Sequence, residues 1–412
     1  MSGLIPRVGV PAAAENLAET LREAGAEPVP MALPAVWLDG GVALSREWVA
    51  DAAEISCYRQ RLDGLLLAAE PPEEQAGLVL AALRANLPTV AAPSGDLYLT
   101  AALAALGLVP LADDPAPVAV EAARTGRPRP GGLIDEFSLV NALRAGLSLG
   151  GGPELLVHLA AIAREAGSTG FSQTLGVIVP ETPQIAEPHS EWFTRHGNPG
   201  LLALLGDSLN DQATVAGRLR EVLPATVPEP PRFDGTRLAF VEARASGARA
   251  LCRVDAGLAE ISGECRVHHS EKFVVRLVEG GFVEPQTLLV VGGCGPRGAP
   301  GISRLERLGQ VLEEYGLADI VPIITDGLPP RSGSGTWISL FSPEAAAGGV
   351  IARLRDGDTL RISLTEGRIR TGVEADEFRG RKPHDFPDRA GAGYAARYTR
   401  SALPALEGAG FG

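Results

Sequence analysis

Residues 323–364 read IITDGLPPRSGSGTWISLFSPEAAAGGVIARLRDGDTLRISL, and this stretch decides how the C-terminal part of the chain folds. Its apolar runs at 320–324, 349–354 and 359–364 are short. Asp-Gly, Pro-Pro and Ser-Gly turn signals bound them, which is how strands are punctuated. Further back, similar runs at 238–242, 250–254, 272–277 and 288–291 repeat the pattern. Many strands at such spacing predict a compact β-rich barrel or sandwich.

Toward the N-terminus the texture changes. A short apolar strand at 8–11 precedes a helix-period run at 13–24, and a second helix follows over 45–56. Ser45 is its expected N-cap, with Glu47 as an acid in the first turn. A buried strand at 62–69, a helix at 73–86 and a strand at 88–92 continue the alternation, which implies a parallel sheet flanked by helices. Residues 96–108 form an Ala/Leu-rich helix and 113–132 a Pro-rich connection. Residues 133–166 read as two helices broken at Gly150-Gly151-Gly152-Pro153. The run VLPATVPEPPRFD at 222–234 is the best linker, because prolines there favour extended backbone. The fold expectation is therefore α/β. An N-terminal α/β sandwich with a parallel sheet (1–228) precedes a C-terminal β-rich, barrel-like domain (235–412).

The chain has 412 residues, 45% of them hydrophobic, enough for one large core or two ordinary ones. Its formal net charge of −13 opposes binding to nucleic acid, which demands a basic footprint. No 18-residue apolar run or signal-peptide layout is present, so no membrane span is expected. The four cysteines (Cys57, Cys252, Cys265, Cys294) are scattered and contain no CxxC. Reduced thiols in a cytoplasmic protein are the expectation.

The C-terminal run resembles the signature of the dihydroxy-acid dehydratase and 6-phosphogluconate dehydratase family, ITDGRFSG followed by SPEAAxGGxIAxxxDGDxIxI. Thr325-Asp326-Gly327, Ser342-Pro343-Glu344-Ala345-Ala346 and Asp356-Gly357-Asp358 stand in register with it. GGCGPRGAPGI (292–302) is similar to the family's YEGPKGGPGM loop. GYAARY (393–398) is similar to its terminal GYLARY, and NALRAGLSLGGGPELLVHLAAIAREAG (141–167) to its NAIxxxxALGGSTNxVLHLLAIAxEAG. Residues 63–93 resemble the segment holding the family's second cluster motif.

The resemblance implies an enzyme that removes water from a 2,3-dihydroxy acid to give a 2-keto acid. An iron-sulfur cluster on three cysteines would act as Lewis acid, magnesium would grip the carboxylate end, and a serine would take the C2 proton. Residue by residue, however, the Cys-Asp-Lys of the second cluster motif falls on Pro71, Pro72 and Glu73. The segment around 30–39 shows no first cluster motif, and the third cysteine's stretch is missing after Ser94-Gly95. The serine falls on Pro330, the metal glutamate on Cys294, and the substrate-contacting Ser-Thr-Asn on Gly152, Pro153 and Glu154.

The expectation is therefore a divergent member acting on a small polyhydroxy or keto acid without iron-sulfur cluster or magnesium, in a specialised biosynthetic pathway. If active it would be a hydro-lyase. Ser332, Asp326 and Arg331 are the candidate acid/base and carboxylate-binding groups. Arg297, Gly298, Ser334, Cys294 and His158 are candidate ligand contacts. One alternative is a non-catalytic ligand-binding or scaffolding subunit; another is a hydro-lyase with a rebuilt metal site. Cys252, Cys265, His268 and His269 form the only zinc-like spacing. The family strand and helix at that place would make those side chains diverge, so no metal is assigned. His189 and His196 flank a loop that the sequence does not place. A homodimer, or a heterodimer with a related dehydratase, is the expected assembly.

Overall fold

Four short parallel strands open the chain: β1 (Arg7–Pro11), β2 (Glu27–Met31), β3 (Gly64–Leu67) and β4 (Thr89–Ala91), in the order β2-β1-β3-β4. A computed structural model describes every residue except 1–4, 36–40, 113, 231–235, 245 and 256. The end of the linker read at 222–234, and residues 36–39 of the stretch searched for a cluster cysteine, lie outside the described residues. Strand β3 is buried at all four positions, as expected for a parallel strand covered on both faces. Helices Val42–Gln60 and Pro72–Ala85 pack together on one side, and Pro115–Thr125 covers β1, β3 and β4. The run 113–132, read as a connection, contains this last helix. Pro115 occupies its first turn, where a missing N–H costs nothing, and Asp114 caps it through Ala116 N at 3.0 Å.

A two-residue hairpin, β5 (Ala213–Thr214) and β6 (Gly217–Arg218), precedes the C-terminal unit. That unit is a closed eight-stranded barrel. Its strands are β7 (Thr236–Ala243), β8 (Ala248–Asp255), β9 (Glu260–His268), β10 (Leu288–Val291), β11 (Ile323–Thr325), β12 (Trp337–Ser342), β13 (Thr359–Ser363) and β14 (Arg368–Thr371), in the order β10-β11-β12-β8-β7-β14-β13-β9. The barrel expectation holds, with two exceptions among its strands. Residues 272–277 lie in the helix Glu271–Glu279, whose Val274, Val275 and Val278 are buried at helical spacing. Residues 350–353 form a 3-10 turn rather than a strand.

The two units share a core. Leu251, Ile302, Leu328, Leu340, Tyr398 and Leu406 from the C-terminal half pack with the helices of the first half. The first turn of Val42–Gln60 shows how closely. Its N-cap is Gly41, not Ser45, which is buried within the helix. Gly41, Val42 and Ala43 donate their N–H groups to the carbonyls of Pro300, Ile302 and Gly301 at 3.1, 3.2 and 2.7 Å. A loop of the distant half thus serves as the cap, a partner that no local reading can supply. At Gly301 φ is +91°, and a Cβ there would come within 2.5 Å of Leu44 N, so the junction depends on glycine.

Candidate functional site

Three helix N-termini of the first unit converge on one cavity of about 330 Å³ that faces the barrel. Pro72 opens the helix Pro72–Ala85, Asp96 caps Leu97–Ala105, and Pro153 opens Pro153–Glu165. Each end carries an acid: Glu73, Asp96 and Glu154. The barrel side supplies three arginines, Arg253 from β8, Arg304, and Arg331 from the loop after β11. Acids from one unit therefore meet cations from the other.

Glu154 is the hub. Its Oε1 lies 2.5 Å from Arg304 Nη2 and 3.2 Å from Arg331 Nη2, while Arg331 Nη2 also reaches Glu73 Oε1 at 2.7 Å. Burial pushes the Glu154 carboxyl up to about 6, although Arg304 and Arg331 pull it down and Glu73 assists burial. His158 stands one helical turn further on, on the same face, with Nε2 3.9 Å from Glu154. It is fully buried, and neither ring nitrogen has a hydrogen-bond partner among the described residues. Burial, then Arg46, Arg304 and Arg331, hold its pKa well below that of free imidazole, so it is neutral. Asp96 is raised by burial and spends one oxygen on Leu99 N at 2.7 Å.

The position expected for a serine is Pro330, and the structure shows what that proline does. It packs against Gly309, where a Cβ would meet Pro330 Cγ at 2.2 Å. Its carbonyl accepts Arg253 Nη1 at 2.8 Å, while Pro329 O accepts Arg304 Nη1 at 3.2 Å. Arg253 keeps Nε and Nη2 buried and without a hydrogen-bond partner. Two guanidinium nitrogens are thus desolvated next to the cavity with no acceptor among the described residues, a costly arrangement for a cation.

The residues singled out from sequence divide into two groups. Ser332, Arg331 and His158 line the cavity, as do Gly152, Pro153 and Pro330. Asp326, Cys294, Arg297, Gly298 and Ser334 do not. Asp326 is fully buried; its Oδ1 accepts Cys294 N at 2.8 Å, and its Oδ2 accepts Gly293 N at 3.2 Å and Ala345 N at 2.8 Å. Burial nevertheless raises its pKa, against those three bonds. Arg297 and Gly298 direct their backbone N–H groups at the Glu344 carboxylate, at 2.9 to 3.0 Å. The glycine-rich loop does cradle an anion, but that anion is the chain's own Glu344, raised to about 7 by burial and by Asp326. Ser334 N is held by Glu313 at 2.8 Å. Arg253, Arg304, Glu73 and Asp96 were not singled out as site residues. Arg253 carries one sequence signal, a charge inside the apolar run ALCRV.

No thiol reaches the cavity. Cys57 is on the helix Val42–Gln60, Cys252 and Cys265 are on the non-adjacent strands β8 and β9, and Cys294 follows β10. Burial raises Cys57 to about 11 and Cys265 to about 12, and pushes Cys252 and Cys294 up as well. A cluster needs several thiolates converging on one point, and these four lie on separate elements, so they do not fit one. Magnesium fits no better, because the cavity acids already face arginines. Among the described residues no group of three or more His, Cys, Asp or Glu side chains is arranged to hold a metal ion. His268 packs on Phe273 and His269 stacks on His384, so the zinc-like spacing diverges in space. Among the described residues, no helix is long and apolar enough to cross a membrane.

Residues 245–409 match the family described as dihydroxy-acid/6-phosphogluconate dehydratase C-terminal. A dihydroxy-acid dehydratase of Geobacter metallireducens is 30% identical over 301 residues, covering 67% of this chain and 54% of the relative. One from Ignicoccus hospitalis is 31% identical over 309 residues, covering 68% and 55%. The match to that of Haloarcula marismortui is longer, 26% identical over 463 residues and covering 89% and 80%. The chain spans about half the length of the first two of these relatives.

Proposed function

The chain belongs to the dihydroxy-acid/6-phosphogluconate dehydratase family, and from that premise we propose that its interdomain cavity binds a small hydroxy or keto acid and acts on it by carboxylate acid–base chemistry, without an iron-sulfur cluster or magnesium. The observation that carries this reading is the Arg253 guanidinium, which lines the same cavity as His158 and Glu154 and has two nitrogens without a hydrogen-bond partner among the described residues. In the proposed complex, Arg253 and the helix N-termini take the ligand carboxylate. His158, neutral, bonds a ligand hydroxyl or carbonyl. Glu154, near 6, sits where a carboxyl can both give and take a proton near neutrality. Arg331 and Ser332 stand at the mouth as further ligand contacts. The reaction class that such a set supports is proton transfer beside a carboxylate or carbonyl, dehydration included.

A second reading, ligand binding without turnover, draws on the pairing of Glu154 with Arg304 and Arg331, which already neutralises its charge. Two experiments test the cofactor-free account and then separate these readings. Iron and acid-labile sulfide are measured first on anaerobically purified protein; sub-stoichiometric amounts are expected, and one cluster per chain would contradict the cofactor-free account. Short 2,3-dihydroxy and 2-keto acids are then assayed for binding and turnover with wild type and Glu154→Gln. Turnover falling about 100-fold or more with binding kept within a few-fold supports catalysis. Binding with no turnover in either protein supports the second reading.

A further inference from the structure

The barrel has one weak seam. Strands β7 and β8 pair along their whole length, from Thr236↔Asp255 to Ala243↔Ala248, whereas β7 and β14 meet only at Arg368↔Glu242. Glu242 N adds one bond to Gly367 O at 2.9 Å, and beyond it the strands part. Between them lies a second cavity, of about 400 Å³, on the barrel and separate from the interdomain site. Its floor is barrel core: Leu360, Ile369 and Phe378 belong to the buried cluster, and Val373 packs against it. Its rim is cationic, with Arg244, Arg368, Arg370 and Arg379 against a single acid, Glu242. That is a local excess of positive charge on a chain of net −13. Arg370 and Arg379 are paired to Glu366 and Asp376, and Glu242 faces Arg249 at 3.8 Å. Arg244 and Arg368 make no side-chain hydrogen bond or ion pair with any described residue.

We propose that this seam is a binding site for an amphiphilic monoanion, a carboxylic acid with a medium-length acyl chain. The carboxylate would lie between Arg244 and Arg368, and the chain would enter the barrel core between β7 and β14. A purely polar anion would satisfy the arginines and leave the apolar floor wet. A neutral hydrocarbon would do the reverse. Only a ligand with both parts matches the lining, and the volume falls at the lower end of ordinary small-molecule sites. Barrel interiors that open at one edge hold ligands of this kind.

Calorimetric titration of octanoate into the full chain tests the site, with octanol and inorganic phosphate each carrying half of the required chemistry. Saturable binding of one octanoate per chain is expected, at least about tenfold tighter than either control. The double variant Arg244→Ala/Arg368→Ala changes two rim residues outside the hydrogen-bond network. It should weaken octanoate at least about tenfold while leaving the circular dichroism unchanged. Val373→Trp, which fills the floor, should block binding as a second route to the same result. No saturable octanoate binding, equal binding of octanol, or undiminished binding in the double variant would each overturn the proposal. A short dihydroxy acid at saturation should leave the octanoate affinity unaltered, so this result stands apart from the fate of the interdomain reading.

Discussion

The glycine-rich loop at 292–301 and the interdomain cavity both carry residues in register with family motifs, yet they treat buried polar groups in opposite ways. In the loop the two buried carboxylates are consumed. Asp326 takes three backbone N–H groups, and Glu344 takes those of Arg297 and Gly298. In the cavity Arg253 and His158, and next to it Glu73, retain buried nitrogens or oxygens with no partner among the described residues. Leaving such groups unsatisfied costs stability, so their gathering around one cavity calls for an explanation. The first region is internally satisfied; the second is where the proposed ligand would supply the missing partners.

The sharpest way to break this contrast is Asp326→Ala. It strands three buried N–H groups, and a loss of about 3 kcal/mol or more in denaturant unfolding is expected. A loss below about 1 kcal/mol would mean that the carboxylate is not the staple described here.

A smaller effect concerns pH. Glu154 and Glu344 have folded pKa values of about 6 and about 7, above the unfolded 4.5. Between these values the native state binds more protons than the unfolded state, so stability falls as pH rises. The contribution is fully present below about 4.5, and it is lost as pH climbs through the folded values. A loss of order 1–2 kcal/mol per group is expected between about pH 5 and 7. Glu154→Gln should flatten the slope near pH 6 while leaving the part near 7. A slope identical in both proteins would place the Glu154 proton elsewhere.

The smallest effect is expected at the cavity mouth. Ser332 is exposed, so Ser332→Ala should change stability by less than about 0.5 kcal/mol. It should also change ligand affinity less than any substitution of Arg253. A larger loss of affinity would move the centre of recognition outward.

Much of the architecture was legible from periodicity, because strands such as 64–67 and 288–291 are short, apolar and bounded by turns. The helix Pro115–Thr125 was not, because its two early prolines read as loop signals although one of them suits a first helical turn. The helix Glu271–Glu279 was missed because Phe273-Val274-Val275 reads as strand, and only the one-sided burial of three valines marks it otherwise. At the site, the family motifs located positions 152–154 and 330, but as lost contacts, so Glu154 was not singled out, while Arg331 and Ser332 were read as neighbours of the replaced serine. Arg253 and Arg304 were not located, since each belongs to an ordinary apolar or loop segment and gains its meaning from a helix of the other unit. The same holds for the cap of Val42–Gln60, which comes from residues 300–302. Contacts made across the two halves are the part that local patterns cannot carry.

The most direct measurement is the affinity of a short 2,3-dihydroxy acid, glycerate, for the wild-type chain and for Arg253→Ala, by calorimetry at neutral pH. One site per chain in wild type is predicted, weakened at least about tenfold in the variant with the fold intact. Equal affinity in the two proteins, or no binding to the wild type, would contradict the assignment of the cavity as an acid-binding site.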